Sequence, residues 1–188
     1  PTPSNTPTVT STPTPADSPV SQTVPVANPP QVIATNSVLC GLTKQIAADT
    51  IDLKCLISAG SDPHVYEPTP EDRKAIETSK LILYGGYDFE PSLIKLINAT
   101  SNPAPKVAVY ELAVPKPQQF EEHGEKVADP HVWHNAKNGV AIAEVISKKL
   151  GELQSDRAST YAQNTTRVTN ELQQIDTWIK AQVETIPP

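Results

Sequence analysis

Apolar residues beyond position 30 alternate between two patterns along the chain. Short β-rich runs are separated by stretches in which apolar residues recur at helical spacing. The four predicted strands are Gln31–Asn36, Ile51–Ser58, Leu81–Tyr84 and Lys106–Leu112. Because helical crossovers join neighbouring parallel strands, the alternation predicts an α/β fold with a four-stranded parallel sheet flanked by helices.

Capping residues predict where the intervening helices begin. We expect Ser37 to cap a helix that runs to about Ala48, and Thr69 to open a second helix that ends near Ser79. Pro91 is a typical first residue of a third helix. Its inward-facing residues are predicted to be Leu93, Ile94, Leu96 and Ile97.

The last third of the chain predicts two more helices, the second unusually long. Asn135 is expected to cap a helix to about Leu150, and Ser155 to cap the longer one. The apolar stripe of the longer helix is Tyr161, Val168, Leu172, Ile175, Ile179, Val183 and Ile186. This helix could lie across its own sheet, form a coiled coil between copies, or link to a second lobe. We favour the last, with one lobe at 31–153 and a linking helix at 154–188.

Residues 1–30 have a different composition from the rest. They hold nine of the 20 prolines, among Thr, Ser, Asn and Val, and Asp17 is their only charged residue. Such a segment buries too little apolar surface to offset its ordering entropy, so we expect a disordered spacer. No apolar run approaches the ~20 residues of a membrane span, and no signal peptide is present. We expect any export signal or lipid anchor upstream of Pro1.

Charge and cysteine content narrow the function further. The net charge is −6 and no basic run occurs, so nucleic acid is not an expected partner. Cys40 and Cys55 are the only cysteines, and their spacing matches no zinc motif. They are interpreted either as two buried thiols or as one disulfide.

Two similar phrases carry the candidate chemistry, SDPHVYEP (61–68) and DPHVWHN (129–135). Each places a histidine, His64 or His131, after a proline that fixes its own φ and restricts the preceding residue. Imidazole is the commonest metal ligand, and a stiff loop lowers the entropy lost on binding. His64 follows the second strand and His131 the fourth, so both are expected at the carboxyl edge of the sheet.

Three phrases in order, SDPHVYEP, YGGYDFEPSL and DPHVWHN, followed by a long helix, resemble the solute-binding proteins of manganese, zinc and iron ABC transporters. The resemblance covers about 31–188, the amino-terminal lobe and its linking helix. It implies a periplasmic or lipid-anchored protein that binds a divalent metal between two lobes and passes it to a membrane permease. It also implies that His64 and His131 are the first lobe's metal ligands, and that the remaining ligands come from a second lobe.

The other two histidines are not counted among the predicted ligands, and the interval before the second histidine phrase bears on the identity of the metal. His134 is interpreted as pointing to solvent, His123 as part of a flexible acidic loop, and Asp129 as an acceptor for an imidazole N–H or a turn former. Zinc-binding members often carry a histidine-rich loop before the second histidine phrase. Here that interval, 113–128, holds only His123. This favours Mn²⁺ over Zn²⁺, with Fe²⁺ behind.

Two other classes of function compete with metal transport. An open coordination sphere on two histidines would suit a metal-dependent hydrolase. However, the chain contains no H-E-x-x-H, G-x-S-x-G or phosphate-binding glycine motif, so we predict that it is not an enzyme. A surface adhesion module would use the spacer equally well. Replacing His64 and His131 would separate the three classes, because a binding protein would lose metal, an enzyme would lose turnover and an adhesion module would lose neither.

Overall fold

The computed structural model describes residues 28–122 and 124–187. A four-stranded parallel sheet forms its centre, in the spatial order β2-β1-β3-β4. The strands are β1 (Gln31–Ala34), β2 (Asp52–Cys55), β3 (Leu81–Tyr84) and β4 (Lys106–Ala108). The predicted α/β fold with a four-stranded parallel sheet is confirmed.

Six helices surround the sheet within the described residues. They are α1 (Ser37–Ala47), α2 (Pro70–Thr78), α3 (Pro91–Ala99), α4 (Val109–Ala113), α5 (Ala136–Leu153) and α6 (Ala158–Val183). Strand residues alternate between two cores because successive side chains point to opposite faces. Val32 packs with α1, α5 and α6 on one face, and Ile33 packs with α2 and α3 on the other. The lobe is therefore a three-layer sandwich.

Several predicted boundaries need correction. The fourth strand ends at Ala108, not Leu112, because the chain turns into α4 and buries Val109 and Tyr110. The second strand is also shorter than predicted, Asp52–Cys55. In α3, Ile94 is only half-buried, while the three other predicted inward residues are buried.

Four helix starts test the predicted caps. The cap of α1 is Asn36 and not Ser37, because the Asn36 side chain accepts a hydrogen bond from the N–H of Leu39. Thr69 caps α2 as predicted, and Asn135 caps α5. Ser155 forms no cap, since it begins a 3-10 turn that leads into α6 without a side-chain capping bond.

A β-hairpin was missed between β4 and α5. Its strands, β5 (Gln119–Glu122) and β6 (Glu125–Ala128), pair antiparallel, so the predicted flexible acidic loop is wrong for these residues. The sequence signal is weak because half of the residues in each strand are charged. His123, at the tip, lies outside the described residues.

A disulfide joins α1 to the end of β2. Cys40 and Cys55 are bonded, with their Cα atoms 5.7 Å apart. Of the two interpretations of the cysteine pair, the disulfide is the one present. It links α1 covalently to the carboxyl end of β2, an outer strand of the sheet.

The long helix α6 packs on the lobe only through its first half. Tyr161 and Val168 are buried against α1 and α5, and Leu172 is half-buried. Farther along, the apolar residues are exposed: Ile175 49%, Trp178 63%, Ile179 45%, Val183 58% and Ile186 67%. We call these five residues the distal apolar face. The alternative of a helix lying wholly across its own sheet is therefore wrong.

Within the described residues, none of the helices combines the length and hydrophobicity needed to cross a bilayer. Most of the predicted spacer, 1–27, lies outside the described residues. The carbonyl oxygen of Pro30 accepts a hydrogen bond from the N–H of Asp52 at 3.0 Å, which ties the start of the described lobe to β2.

Candidate metal centre

Two Asp-Pro-His turns carry the predicted metal ligands. The first, Asp62–His64, follows β2 and opens a 3-10 turn at Pro63–Val65. The second, Asp129–His131, follows β6 and leads through a turn at Val132–His134 into α5. In each, the aspartate Oδ1 accepts a hydrogen bond from the histidine N–H, at 3.0 Å in the first and 2.9 Å in the second. The side-chain bond and the proline together fix the backbone that presents each imidazole.

The structure brings the two imidazoles together. Nε2 of His64 lies 3.3 Å from Nε2 of His131, although the residues are 67 positions apart. His64 is exposed, and the His131 side chain is 40% exposed. The pair therefore sits at the surface of the lobe, at the carboxyl edge of the sheet.

Asp129 orients the His131 ring. Its Oδ1 lies 2.8 Å from Nδ1 of His131, as well as accepting the backbone N–H of the same residue. These bonds, the backbone one first, hold the pKa of the Asp129 carboxyl below its usual value. A carboxylate beside Nδ1 favours the tautomer with the proton on Nδ1, and Nε2 then keeps its lone pair. The imidazole acceptor role considered for Asp129 in the sequence is thus present.

Phe89 is buried directly beneath the two imidazoles of the histidine pair. Its ring is edge-on to both imidazoles, with centroid distances of 5.1 Å to His64 and 5.6 Å to His131. Phe89 is 4% exposed, and its ring also contacts Trp133 at 4.8 Å. One aromatic side chain therefore touches both candidate ligands from below.

An unusual backbone carries Phe89 to this position. Three consecutive residues between β3 and α3 have positive φ: Gly86 at 89°, Tyr87 at 50° and Asp88 at 56°. Each non-glycine residue in this region costs ~1–2 kcal/mol. The N–H of Tyr87 donates to the Glu111 carboxylate at 2.9 Å, which ties the loop to α4.

Glu90 fastens the end of the same loop. It is fully buried, and its Oε1 accepts hydrogen bonds from the Gly85 N–H at 2.8 Å and from the Thr35 hydroxyl. A Cβ on Gly85 would lie 2.7 Å from Glu90 Oε2 and 2.9 Å from the Tyr110 ring, so this close approach requires glycine. Burial raises the pKa of Glu90, against the opposing effect of these hydrogen bonds.

The chain beyond His64 is tied down by Tyr66. Its hydroxyl donates to Oδ2 of Asp72 at 2.8 Å, and the same oxygen accepts the Thr69 N–H at 2.9 Å. Burial and the Asp72 carboxylate raise the pKa of Tyr66 to about 12, so its hydroxyl remains a donor at neutral pH. The His64 turn is thus held by Asp62 on one side and by the start of α2 on the other.

No further ligand joins the pair within the part of the chain that the structure describes. His134 is exposed, and its ring stacks on that of His131 with centroids 6.3 Å apart. Within residues 28–122 and 124–187, no three or more His, Cys, Asp or Glu side chains form a group suited to a metal ion. This lobe therefore offers two nitrogen ligands and an open side toward solvent.

Sequence reasoning missed two features of this site. Asp62 forms the same backbone turn as Asp129, a signal readable from the repeated Asp-Pro-His triplet. Phe89 gives no such signal, because its role depends on a left-handed loop that no local motif announces.

Comparison with known proteins places this arrangement in a family. Residues 32–188 match the model of "ZnuA: Zinc-uptake complex component A periplasmic". The metal ABC transporter substrate-binding lipoprotein SsaB of Streptococcus sanguinis is 35% identical over 84% of this chain and 52% of its own length. The manganese ABC transporter substrate-binding lipoprotein scaA of Streptococcus gordonii is 36% identical over 83% of this chain and 52% of its own. The chain thus spans about half the length of the curated relatives it matches.

Solved structures show the same fold. The periplasmic zinc binding protein TroA from Treponema pallidum superposes with a TM-score of 0.78 at 25% identity, covering 85% of this chain and 57% of that one. A Mn-bound periplasmic metal binding protein from Candidatus Liberibacter asiaticus has a TM-score of 0.75 at 24% identity, over 85% of this chain and 59% of that one. The second likeness is one of fold alone. The resemblance to metal-transporter binding proteins seen in the sequence is confirmed.

Proposed function

Since the chain belongs to the family of periplasmic zinc-uptake components, ZnuA, we propose that it binds a divalent transition metal through His64 and His131 and delivers it to the permease of an ABC importer. The protein acts outside the cytoplasmic membrane, and the only membrane attachment we propose is a lipid anchor upstream of Pro1. The disulfide between Cys40 and Cys55 agrees with an oxidising compartment. The role is binding and delivery, without catalysis.

The 3.3 Å separation of the two Nε2 atoms is the observation that supports this most directly. Two metal bonds of ~2.1 Å to nitrogens at this separation subtend roughly 104° at a shared ion, near the tetrahedral value of ~109° and within reach of an octahedral site. The two imidazoles would therefore need to move little when they bind the metal ion. The Asp129 carboxylate supports the same role, since a second partner on Nδ1 fixes the ring and raises the basicity of the ligating nitrogen.

We propose that a second lobe completes the coordination sphere. Two imidazoles leave at least two positions open on Zn²⁺ and more on Mn²⁺. The distal apolar face of α6 supports this, because its five residues are 45% or more exposed and extend beyond the lobe. In this proposal residues 31–153 are the metal-binding lobe, and 154–188 link it to the second lobe.

Manganese is the metal we propose, with zinc and then iron as alternatives. The scaA relative is named for manganese, and only one histidine lies in 113–128. The family description and the TroA structure name zinc. Divalent affinity rises from Mn²⁺ toward Cu²⁺, so selection for manganese must come from geometry and from the ligands of the second lobe.

Calorimetric titration of this chain with Zn²⁺ and Mn²⁺, in a buffer without chelators, tests the proposal. His64→Ala and His131→Ala should each abolish most of the heat of binding, because one imidazole cannot chelate. His134→Ala is the matched control, since it removes a histidine of the same loop that does not contact His64. Binding that survives the double replacement of His64 and His131 would rule out these residues as the site.

A longer form of the protein that includes a second lobe tests the split site. Ligands supplied by a preorganised facing lobe make later metal bonds intramolecular, so its affinity should exceed that of this chain by ~10² or more. Equal and tight binding by both forms would mean that the site is complete within residues 31–188. Competition between Mn²⁺ and Zn²⁺ in the longer form then decides which metal it selects.

A further inference from the structure

The two imidazoles of the histidine pair are oriented by unequal sets of contacts. His131 has a carboxylate on Nδ1, at 2.8 Å from Asp129. His64 has a hydrogen bond on its backbone N–H but none on Nδ1 within the described residues. Its ring neighbours are His131 and the edge-on ring of Phe89, at centroid distances of 5.3 and 5.1 Å. Packing on Phe89 and the 3.3 Å contact with His131 are therefore the restraints on the His64 ring.

Phe89 itself is held on several sides. Trp133, from the turn after His131, packs against its ring at 4.8 Å, and Tyr110 lies at 6.1 Å. Its backbone N–H donates to the Gly86 carbonyl at 3.0 Å. The next residue, Glu90, is anchored to the end of β1 through Thr35 and to the end of β3 through Gly85. The Phe89 side chain is thus held in place by contacts on several sides.

We propose that Phe89, seated by Glu90, is a positioning residue that sets the separation and tilt of the His64 and His131 imidazoles before metal arrives. This inference rests on the proposed function of the pair. Edge-on packing against one shared ring restrains both imidazoles, so a metal ion meets two nitrogens already at chelating distance. Removing the ring leaves the ligands present but lets them sample other rotamers, which weakens binding without removing any metal bond.

The test replaces Phe89 and a matched core residue in the same 188-residue chain. Phe89→Leu keeps apolar bulk and removes the ring. Ile97→Val, in α3 on the opposite face of the sheet, is the control for loss of core packing. Zn²⁺ is the probe because it binds imidazole more strongly than Mn²⁺ does. Phe89→Leu should bind it about tenfold more weakly, from the cost of ordering two freed side chains, and Ile97→Val should bind like the wild type.

Imidazole nitrogen resonances give a readout that lost stability would not change. In metal-free wild type, His64 and His131 should each show one sharp, ordered set, and in Phe89→Leu the His64 set should become averaged while His131, held by Asp129, changes less. The spectrum of Ile97→Val should match the wild type.

The outcomes separate this inference from the proposed function. The positioning role would be overturned if Phe89→Leu bound Zn²⁺ like the wild type, or if both variants lost Zn²⁺ affinity equally. Either result would leave the histidine site in place. If the variant with both His64 and His131 replaced binds Zn²⁺ as tightly as the wild type, the proposed function fails first. If Phe89→Leu unfolds, Phe89→Met, which also removes the ring and keeps the volume, carries the same expectation and can be contradicted in the same way.

Discussion

The two Asp-Pro-His turns allow the backbone and imidazole contributions of an aspartate to be measured separately. Asp62 makes one bond, to the His64 N–H at 3.0 Å. Asp129 makes the equivalent bond at 2.9 Å and a second one to the imidazole Nδ1 at 2.8 Å. Replacing each aspartate by alanine therefore removes one bond in the first turn and two in the second.

The expected magnitudes follow from these bonds. An intramolecular hydrogen bond contributes ~1 kcal/mol net, so Asp62→Ala should weaken metal binding about fivefold through a looser turn. A partner that orients a ligating histidine is typically worth 10–100-fold in metal affinity. Asp129→Ala should then cost roughly 30–100-fold, because both the turn and the ring lose their restraint. Asp129→Asn keeps an acceptor oxygen without the charge and should cost only about 3–10-fold, since the side chain is 35% exposed and the lost charge is screened by solvent.

Zn²⁺ calorimetry on the three variants, at one pH and ionic strength, checks this order. Circular dichroism and thermal unfolding of each metal-free variant control for loss of the fold. Equal losses for Asp62→Ala and Asp129→Ala would refute the reasoning, because the imidazole bond would then contribute nothing beyond the turn. An Asp129→Asn variant as weak as Asp129→Ala would show that charge, and not the hydrogen bond, carries the effect.

Three further predictions concern the scaffold. Replacing Cys40 and Cys55 by alanine should lower the free energy of unfolding by about 3 kcal/mol, for a loop of 15 residues, and an unchanged urea midpoint would contradict this. Burial raises the pKa of Glu90 above its ordinary 4.5. The free energy of unfolding of the wild type, relative to that of Glu90→Gln, should therefore be greatest near pH 4 and fall as the pH rises through the folded-state pKa. A difference in urea unfolding that stays constant from pH 4 to 8 would argue against this prediction. Trp178→Glu, 63% exposed, should change the stability of this chain by less than ~0.5 kcal/mol, whereas Val168→Ala, 2% exposed, should cost about 2 kcal/mol. A large loss for Trp178→Glu would mean that the distal apolar face is covered within this chain.

The sheet could be predicted from the sequence because each strand is marked by a short local run of β-favouring residues. Leu81–Tyr84 was predicted to the residue. The helix start at Thr69 could be predicted from Pro70 and the acidic residues Glu71 and Asp72 of the first turn, and the structure adds a capping box between Thr69 and Asp72. The fourth strand was too long in the prediction because Val109 and Tyr110 are as apolar as strand residues. Their helical conformation is set by contacts distant in sequence, such as the Tyr110 hydroxyl on Asn36.

Some residues of the candidate site could likewise be predicted from the sequence, and others could not. His64 and His131 could be predicted because proline and histidine stand together in both phrases, and topology brings the phrases to one edge. Phe89 could not, because only the folded structure shows one ring beneath both imidazoles. The conformation that carries it there, with Tyr87 and Asp88 at positive φ, is disfavoured locally and is held by hydrogen bonds to other elements.

All four strands of the sheet contribute to the histidine pair. His64 follows β2 and His131 comes after β4 and the hairpin, and β2 and β4 are the two outer strands, separated by about 14 Å at ~4.8 Å per strand spacing. The loop after β3 fills the space between them with Phe89, and the end of β1 holds that loop through Thr35 and Glu90. The 3.3 Å approach of the two nitrogens is therefore a product of the whole sheet and not of either loop alone. Because the geometry exists only when the sheet is formed, a metal bound by both histidines must stabilise the folded lobe, and the stabilisation grows with the logarithm of its affinity.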